Sequence, residues 1–102
     1  MVRVLDGTHS RDDLALAVRG TAEELAARYP GHSVELRVPP FTAVQLVEGP
    51  RHTRGTPPSV CEVEPVTLVL LAAGRLGWED AVADGRVRAY GDRADLSGVI
   101  TL

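Results

Sequence analysis

The stretch of sequence that decides the fold is residues 65–90, PVTLVLLAAGRLGWEDAVADGRVRAY. Pro65 is typical of the first turn of a helix, because its missing N–H would have no partner there. The run that follows is apolar on nearly every side, which predicts a helix covered on more than one face. Gly74 suits the left-handed residue that ends such a helix. The stretch therefore predicts a buried helix around which the rest of the chain is organised.

The second half of the same stretch predicts a shorter helix followed by a strand. Trp78, Ala81 and Val82 form a stripe that we expect to face inward, and Gly85 ends the helix. Residues 86–90 alternate polar and apolar side chains at a spacing of two, as a half-buried strand does. No catalytic group is recognisable in this stretch, so it predicts architecture rather than chemistry.

Before this stretch, the chain predicts one amphipathic helix over residues 11–29. Ser10 and Asp13 form a variant of the capping box that marks a helix N-terminus. Gly20 interrupts the helix at a cost of about 1 kcal/mol relative to Ala. The inward stripe, at spacings of three and four, consists of Leu14, Val18, Ala22, Leu25 and Tyr29.

Three further strands are predicted between this helix and residue 65. Residues 33–38 alternate cleanly, with Val34, Leu36 and Val38 inward. Residues 41–48 carry apolar side chains on both faces, which predicts a central strand covered on both sides. Residues 60–64 form the third strand. The last apolar segment, within residues 92–102, must cover another part of the protein or a partner; it comprises Leu96, Val99, Ile100 and Leu102.

Helices before and after these strands predict a single α+β domain over residues 1–102. We expect a small curved, mostly antiparallel sheet of four or five strands with the helices packed on one face. A chain of 102 residues that is 44% hydrophobic is large enough for one core.

Composition and charge restrict the classes of function. A net charge of −3 argues against a nucleic-acid partner, which normally requires a basic face. The single cysteine excludes an internal disulfide, and no apolar run is long enough to span a membrane. No signal-peptide region follows the N-terminus. We expect a cytoplasmic protein.

Several short motifs in the second half of the chain form a familiar pattern. They are AGRL at residues 73–76, WEDA at 78–81, DGRV at 84–87 and GD at 91–92. In this order, after a leucine-containing helix, they resemble the end of the sterol carrier protein 2-like domains.

The fuller resemblance is to the short bacterial, mainly actinobacterial, orthologues of the sterol carrier proteins. It extends over roughly residues 31–96 and includes VPP at 38–40, VEGPRHTRG at 47–55, PP at 57–58 and RADLS at 93–97. Two positions depart from it: Leu68 stands where those relatives usually carry Trp, and Ser59 where Asn is common. Either exchange would reshape a cavity without changing the fold.

The resemblance implies an apolar cavity between sheet and helices that takes a lipid, sterol or fatty-acyl chain without a cofactor. Such binding requires apolar area removed from water and a few polar groups at the mouth. We expect Arg51 and Arg54 to meet a polar head, because Arg presents a planar donor fork to anions. The alternative is a solvated loop over residues 51–55 and an interior filled by the protein itself. The apolar residues expected to line or close the cavity are Val44, Leu46, Leu70, Leu71, Trp78 and Val99.

Two other classes of function stay open. Cys61 with His52 would be the nucleophile and base of a remnant of a thiol-dependent isomerase or transferase system, although a single strand cysteine is usually a small buried hydrophobe. An interaction module would use residues 96–102 to cover a partner protein or a second copy of this chain as a homodimer. The three histidines are too far apart in sequence to predict a metal site.

Overall fold

A computed structural model describes residues 7–49, 59–91 and 93–102. In chain order, the elements are helix α1 (Arg11–Arg28), strands β1 (Val34–Val38), β2 (Thr42–Leu46) and β3 (Ser59–Val63), helices α2 (Pro65–Ala72) and α3 (Trp78–Ala83), and strand β4 (Val87–Tyr90).

The four described strands form one sheet in the order β2-β1-β3-β4. The outer pairs are antiparallel, whereas the central pair β1 and β3 is parallel. The predicted α+β class is therefore confirmed, with four strands in a sheet that is mixed because of that central pair.

One face of the sheet supplies the core. Leu36 lies opposite Val44 on one side and Cys61 on the other, and Val34 lies opposite Leu46. The other face is polar: a row runs across it through Ala43, Arg37, Glu62 and Arg88. The helices accordingly belong to one face, as predicted.

The prediction that residues 41–48 form a central strand is wrong, because β2 lies at an edge of the sheet that the described strands form. Phe41 and Val47, which gave this segment its second apolar side, lie just beyond the two ends of β2 and pack against the margin of the core. Within β2, Ala43 and Gln45 are exposed on the polar face. Only one face of β2 is apolar, so the core covers this strand on one face and not on both.

Helix α1 begins at the predicted capping box. The Asp13 N–H donates to Ser10 Oγ at 3.1 Å, and the Ser10 N–H donates to Asp13 Oδ2 at 3.1 Å. The predicted stripe faces the core, since Val18, Ala22 and Leu25 are no more than 1% exposed.

Helix α2 is buried on most of its surface, as predicted. Pro65 is at its start, and Gly74, just beyond its end, has a φ of +72°. In α3, Ala81 is buried, but the prediction that Val82 faces inward is wrong, because its side chain is 43% exposed. Helix α3 has only six residues, and Ala81 is the one whose side chain is buried.

The C-terminal segment closes the core. Leu96 and Ile100 are each 2% exposed, and the Leu102 N–H donates to the Ala72 carbonyl at 2.9 Å. Its largest apolar groups are therefore used within the chain itself. None of the described helices is long and apolar enough to cross a membrane.

Candidate ligand-binding site

The layer between the sheet and the helices is a continuous apolar core. Leu46 on β2, Leu68 and Leu71 on α2, and Ile100 of the C-terminal segment all belong to it and are at most 2% exposed. Every described helix contributes to this core, so a ligand bound between the layers would contact sheet, helices and C-terminal segment together.

The predicted cavity residues fall into two groups. Leu46 and Leu71 are fully buried in the core. Val44, Trp78 and Val99 are partly buried and pack against its margin. Leu70 is also partly exposed. Arg51 and Arg54 lie outside the described residues.

The marginal residues are not all on one side of the domain. Val44 is on β2, the edge strand against which α1 packs. Trp78 begins α3, which packs against β4 at the opposite edge of the sheet. The structure thus brings the predicted residues to one core but to two separate margins.

The two positions that depart from the familiar pattern are both buried. Leu68 is fully buried on α2. Ser59 begins β3, and its Oγ accepts the Arg93 N–H at 3.0 Å. Next to it, Gly91 has a φ of +93°, and a Cβ there would lie 2.7 Å from Ser59 Oγ. Ser59 is therefore held by the chain that follows β4.

Trp78 lines a surface groove of about 500 Å³. Carboxylates of Glu79, Asp80 and Asp95 share the lining, together with Gly77 and Ser97. Hydrogen bonds from Ser97, one of them from its N–H to Asp95 Oδ1 at 2.9 Å, hold the pKa of Asp95 below its usual value. The groove is acidic, so an anionic head is disfavoured there.

Asp95 and Ser97 were not among the predicted site residues. They are about twenty residues from Trp78 in sequence and reach it only because the C-terminal segment folds back over the core. No local pattern in the sequence indicates that approach.

A second cleft, of about 220 Å³, is lined mainly by residues of β3, β4 and the positions next to them. Its lining mixes both charges, since it contains Glu62, Glu64, Arg86 and Arg88 together with Pro39, Val63 and Gly85. Opposite charges in this number balance one another, so the cleft favours neither an anion nor a cation.

Thr21 on α1 is a polar side chain inside the core. It is 2% exposed, and its Oγ1 finds no hydrogen-bond partner among the described residues. The sequence prediction omitted Thr21, although it follows Val18 by three residues and Ala17 by four, the spacing of the buried stripe. Because a polar side chain is normally expected to be exposed, only its spacing along the helix could have predicted that Thr21 is buried.

Cys61 does not have the properties of a catalytic nucleophile. Burial, and to a smaller extent the charge of Asp95, raise the pKa of its thiol to about 12. A nucleophilic cysteine needs a lowered pKa and access. His52, its candidate base, lies outside the described residues. Within the described part of the chain, no three His, Cys, Asp or Glu side chains are placed to hold a metal ion.

The family described as "Bacterial SCP ortholog" matches residues 10–102, which include every described helix and strand. No curated protein matches the chain.

Proposed function

We propose a carrier function from one premise: the chain belongs to the bacterial family of sterol carrier protein (SCP) orthologues. In this proposal the protein binds a lipid, sterol or fatty-acyl chain between the sheet and the helices and performs no reaction on it. The observation that carries the proposal is the family match over residues 10–102, which takes in both layers of the apolar core.

The physical basis is apolar burial. A ligand between the layers gains roughly 25 cal/mol for each Å² of apolar surface that it removes from water. The residues that would line its path are the partly buried ones at the margins of the core, Val44, Leu70, Trp78 and Val99, with Leu46 and Leu71 behind them. Arg51 and Arg54 would meet a polar head that stays in water.

The test is direct binding. Delipidated protein is incubated with palmitate, palmitoyl-CoA and cholesterol in separate samples and examined by native mass spectrometry and thermal melting. We expect a stoichiometric adduct and a raised melting temperature with at least one of the three. No adduct and no shift with any of them would remove the carrier function.

Site variants assign the binding to the proposed residues. Leu70→Asn and Trp78→Ala place polarity or space at the margins of the core, whereas Leu16→Asn changes a leucine that is 71% exposed. We expect weaker binding from the first two and wild-type binding from the third. Because Trp78 is the single tryptophan, its fluorescence also reports a ligand near α3 in the wild-type protein.

The catalytic alternative is tested at Cys61. Its folded-state pKa is raised to about 12, so the protonated thiol stabilises the fold fully at neutral pH. This contribution is lost as the pH rises from the unfolded-state pKa towards 12. We expect Cys61→Ala to show a smaller alkaline loss of stability and unchanged ligand binding. Rapid alkylation of Cys61 in the folded protein at neutral pH would instead favour a reactive thiol.

Homodimer formation through residues 96–102 stays a prediction. The burial of Leu96 and Ile100 within the chain leaves Leu102, at 38% exposure, as the most accessible of the apolar side chains proposed for it. Light scattering on a chain truncated after Gly98 distinguishes a segment that drives association from one that closes the core.

A further inference from the structure

We propose that Thr21 is the polar anchor for the ligand, and that the ligand is a neutral apolar molecule with one hydroxyl or carbonyl group. The proposal rests on the proposed carrier function and names the class of molecule that the carrier takes. It also assigns the point of entry, which is the interface between α1 and the rest of the core.

Thr21 differs from the other buried polar side chains in its hydrogen bonding. Among the described residues, the buried polar side chains are Thr21, Ser33, Ser59 and Thr67. Ser33 Oγ donates to the Val47 carbonyl at 2.6 Å, and Ser59 Oγ accepts the Arg93 N–H at 3.0 Å. Thr21 Oγ1, by contrast, is buried and unpartnered within the described structure. Buried hydroxyls in native proteins normally have a hydrogen-bond partner, so the unpartnered Thr21 hydroxyl indicates that a bound ligand supplies it.

Thr21 lies on the buried stripe of α1. On the buried stripe of α1, Ala17 and Val18, one turn towards the N-terminus, and the adjacent Ala22 are small, whereas Leu25, one turn towards the C-terminus, is large. The stripe packs against α2 and β2. Since small side chains bury little apolar area, separating this part of α1 from the core costs less than separating α2 would.

The two ends of α1 are held to the rest of the domain by different contacts. At its C-terminal end the Tyr29 carbonyl accepts the Val47 N–H at 2.7 Å, and Leu25, the largest buried side chain of α1, lies close by. Towards the other end, α1 is held to the β1–β2 turn at Phe41 by exposed contacts. Arg19 Nε donates to the Phe41 carbonyl at 3.4 Å, and the Arg11 guanidinium lies 5.3 Å from the centre of the Phe41 ring.

These contacts favour opening of α1 from its N-terminal side. Thr21 is 2% exposed and therefore shielded from solvent in this structure, so a ligand reaches it only when α1 lifts. The Thr21 hydroxyl then donates to a ligand carbonyl, or forms one hydrogen bond with a ligand hydroxyl, as either its donor or its acceptor.

The class of ligand follows from charge. None of the four buried polar side chains in the described structure is charged, so an ionised carboxylate drawn into this interface would have no counter-ion. A neutral alcohol, sterol or ester pays no such penalty. The interface therefore selects neutral lipids with one hydrogen-bonding group over ionised fatty acids.

The test compares dodecanol, dodecane and dodecanoate, each delivered from the same cyclodextrin and measured by native mass spectrometry. Wild-type protein should prefer dodecanol to both others. Thr21→Val should weaken dodecanol binding about fivefold, the effect of one net hydrogen bond, and leave dodecane binding unchanged. The same variant should raise the melting temperature of the free protein by roughly 4 °C, because it removes an unpaired buried hydroxyl.

Two matched variants control for packing. Thr21→Ser keeps the hydroxyl and should keep the preference for dodecanol. Thr67→Val makes the same chemical change at an equally buried threonine on α2, and should leave the preference intact.

The outcomes separate the two proposals. If the wild-type protein binds the probes without preferring dodecanol, or if Thr21→Val keeps the preference, the anchor is wrong while the carrier function stands. Equal losses in Thr21→Val and Thr67→Val would also overturn it. Tighter binding of dodecanoate that is abolished by Arg51→Gln would move the head to residues 51–55 and contradict a neutral ligand. If the wild-type protein takes up none of the probes, nor the three ligands tested for carriage, the carrier function fails with it.

Discussion

Helices α1 and α2 pack in the same core, but different interactions make them helical. Each has five buried residues, spread over 18 positions in α1 and concentrated in 8 in α2. Helix α1 has a complete capping box, acidic residues in its first turn and a Glu24–Arg28 ion pair at 3.0 Å. Helix α2 has no side-chain bond at its N-cap, Glu64, and no charged residue in its first or last turn.

The difference shows how local and tertiary stabilisation are divided in this domain. The first helix is encoded by its own caps and charges, and it attaches to the core through the small side chains of Ala17, Val18 and Ala22 and through Leu25. The second is too short to be stable alone and is helical because the core surrounds it. In the proposed carrier, α1 is the helix that lifts to admit the ligand and α2 is the helix that holds the core.

The largest expected effect is at the centre of α2. Leu68→Ala should lower the free energy of unfolding by about 3 kcal/mol, because a fully buried leucine leaves a cavity. Leu16→Ala, on the exposed side of α1, should change it by less than about 0.5 kcal/mol. Urea denaturation measures both. A loss in the free energy of unfolding below about 1 kcal/mol for Leu68→Ala would contradict the conclusion that α2 is stabilised by its burial in the core.

Hydrogen exchange compares the two helices within one protein. We expect the amides of Val18 and Thr21 on α1 to exchange at least roughly tenfold faster than those of Leu68 and Val69 on α2, because α1 opens without global unfolding. Equal protection of the two pairs of amides would show that the helices open together, and the entry route beneath α1 would be excluded.

The N-terminal caps should differ next. Ser10→Ala removes the side-chain acceptor of the capping box and should cost about 1 kcal/mol. Glu64→Ala changes an N-cap residue that makes no side-chain bond, so we expect a change of less than about 0.5 kcal/mol. Similar losses at the two caps, measured by thermal melting, would mean that α1 is not more dependent on local interactions than α2.

A modest stabilising effect is expected in the middle of α1. Gly20 is exposed, and a Cβ added there meets no atom within 4 Å, so Gly20→Ala should stabilise the protein by about 0.5–1 kcal/mol through helix propensity alone. Gly31→Ala provides the opposite case. Gly31 has a φ of +152°, and its Cβ would lie 2.2 Å from the Val47 carbonyl oxygen. Denaturation should therefore show a gain at position 20 and a clear loss at position 31.

Much of the fold could be predicted because its signals are local. The capping box at Ser10, the proline at position 65 and the alternation of Val34, Leu36 and Val38 each specify an element from neighbouring residues. The position of β2 could not be predicted in this way. Whether a strand is central or at an edge depends on which partners pair with it, and Phe41 and Val47 imitated a second apolar face from positions outside the strand.

The candidate site was predictable only in part. Leu46 and Leu71 are in the core, as apolar residues in regular patterns should be. The groove at Trp78 depends on Asp95 and Ser97, which a long-range fold-back brings to it. Thr21 has the spacing of a core residue, but its unpaired hydroxyl becomes visible only when the groups around it are placed.

The sequence by itself determined where the helices and strands form and which side of each is apolar, because hydrogen bonds, caps and side-chain periods act between residues a few positions apart. Among the described residues, only the tertiary structure decided that β1 and β3 run parallel, that β2 lies at an edge of the sheet, and that Thr21 is enclosed without a hydrogen-bond partner. Those outcomes depend on contacts between distant segments, whose free energies are set by the packing of the whole core.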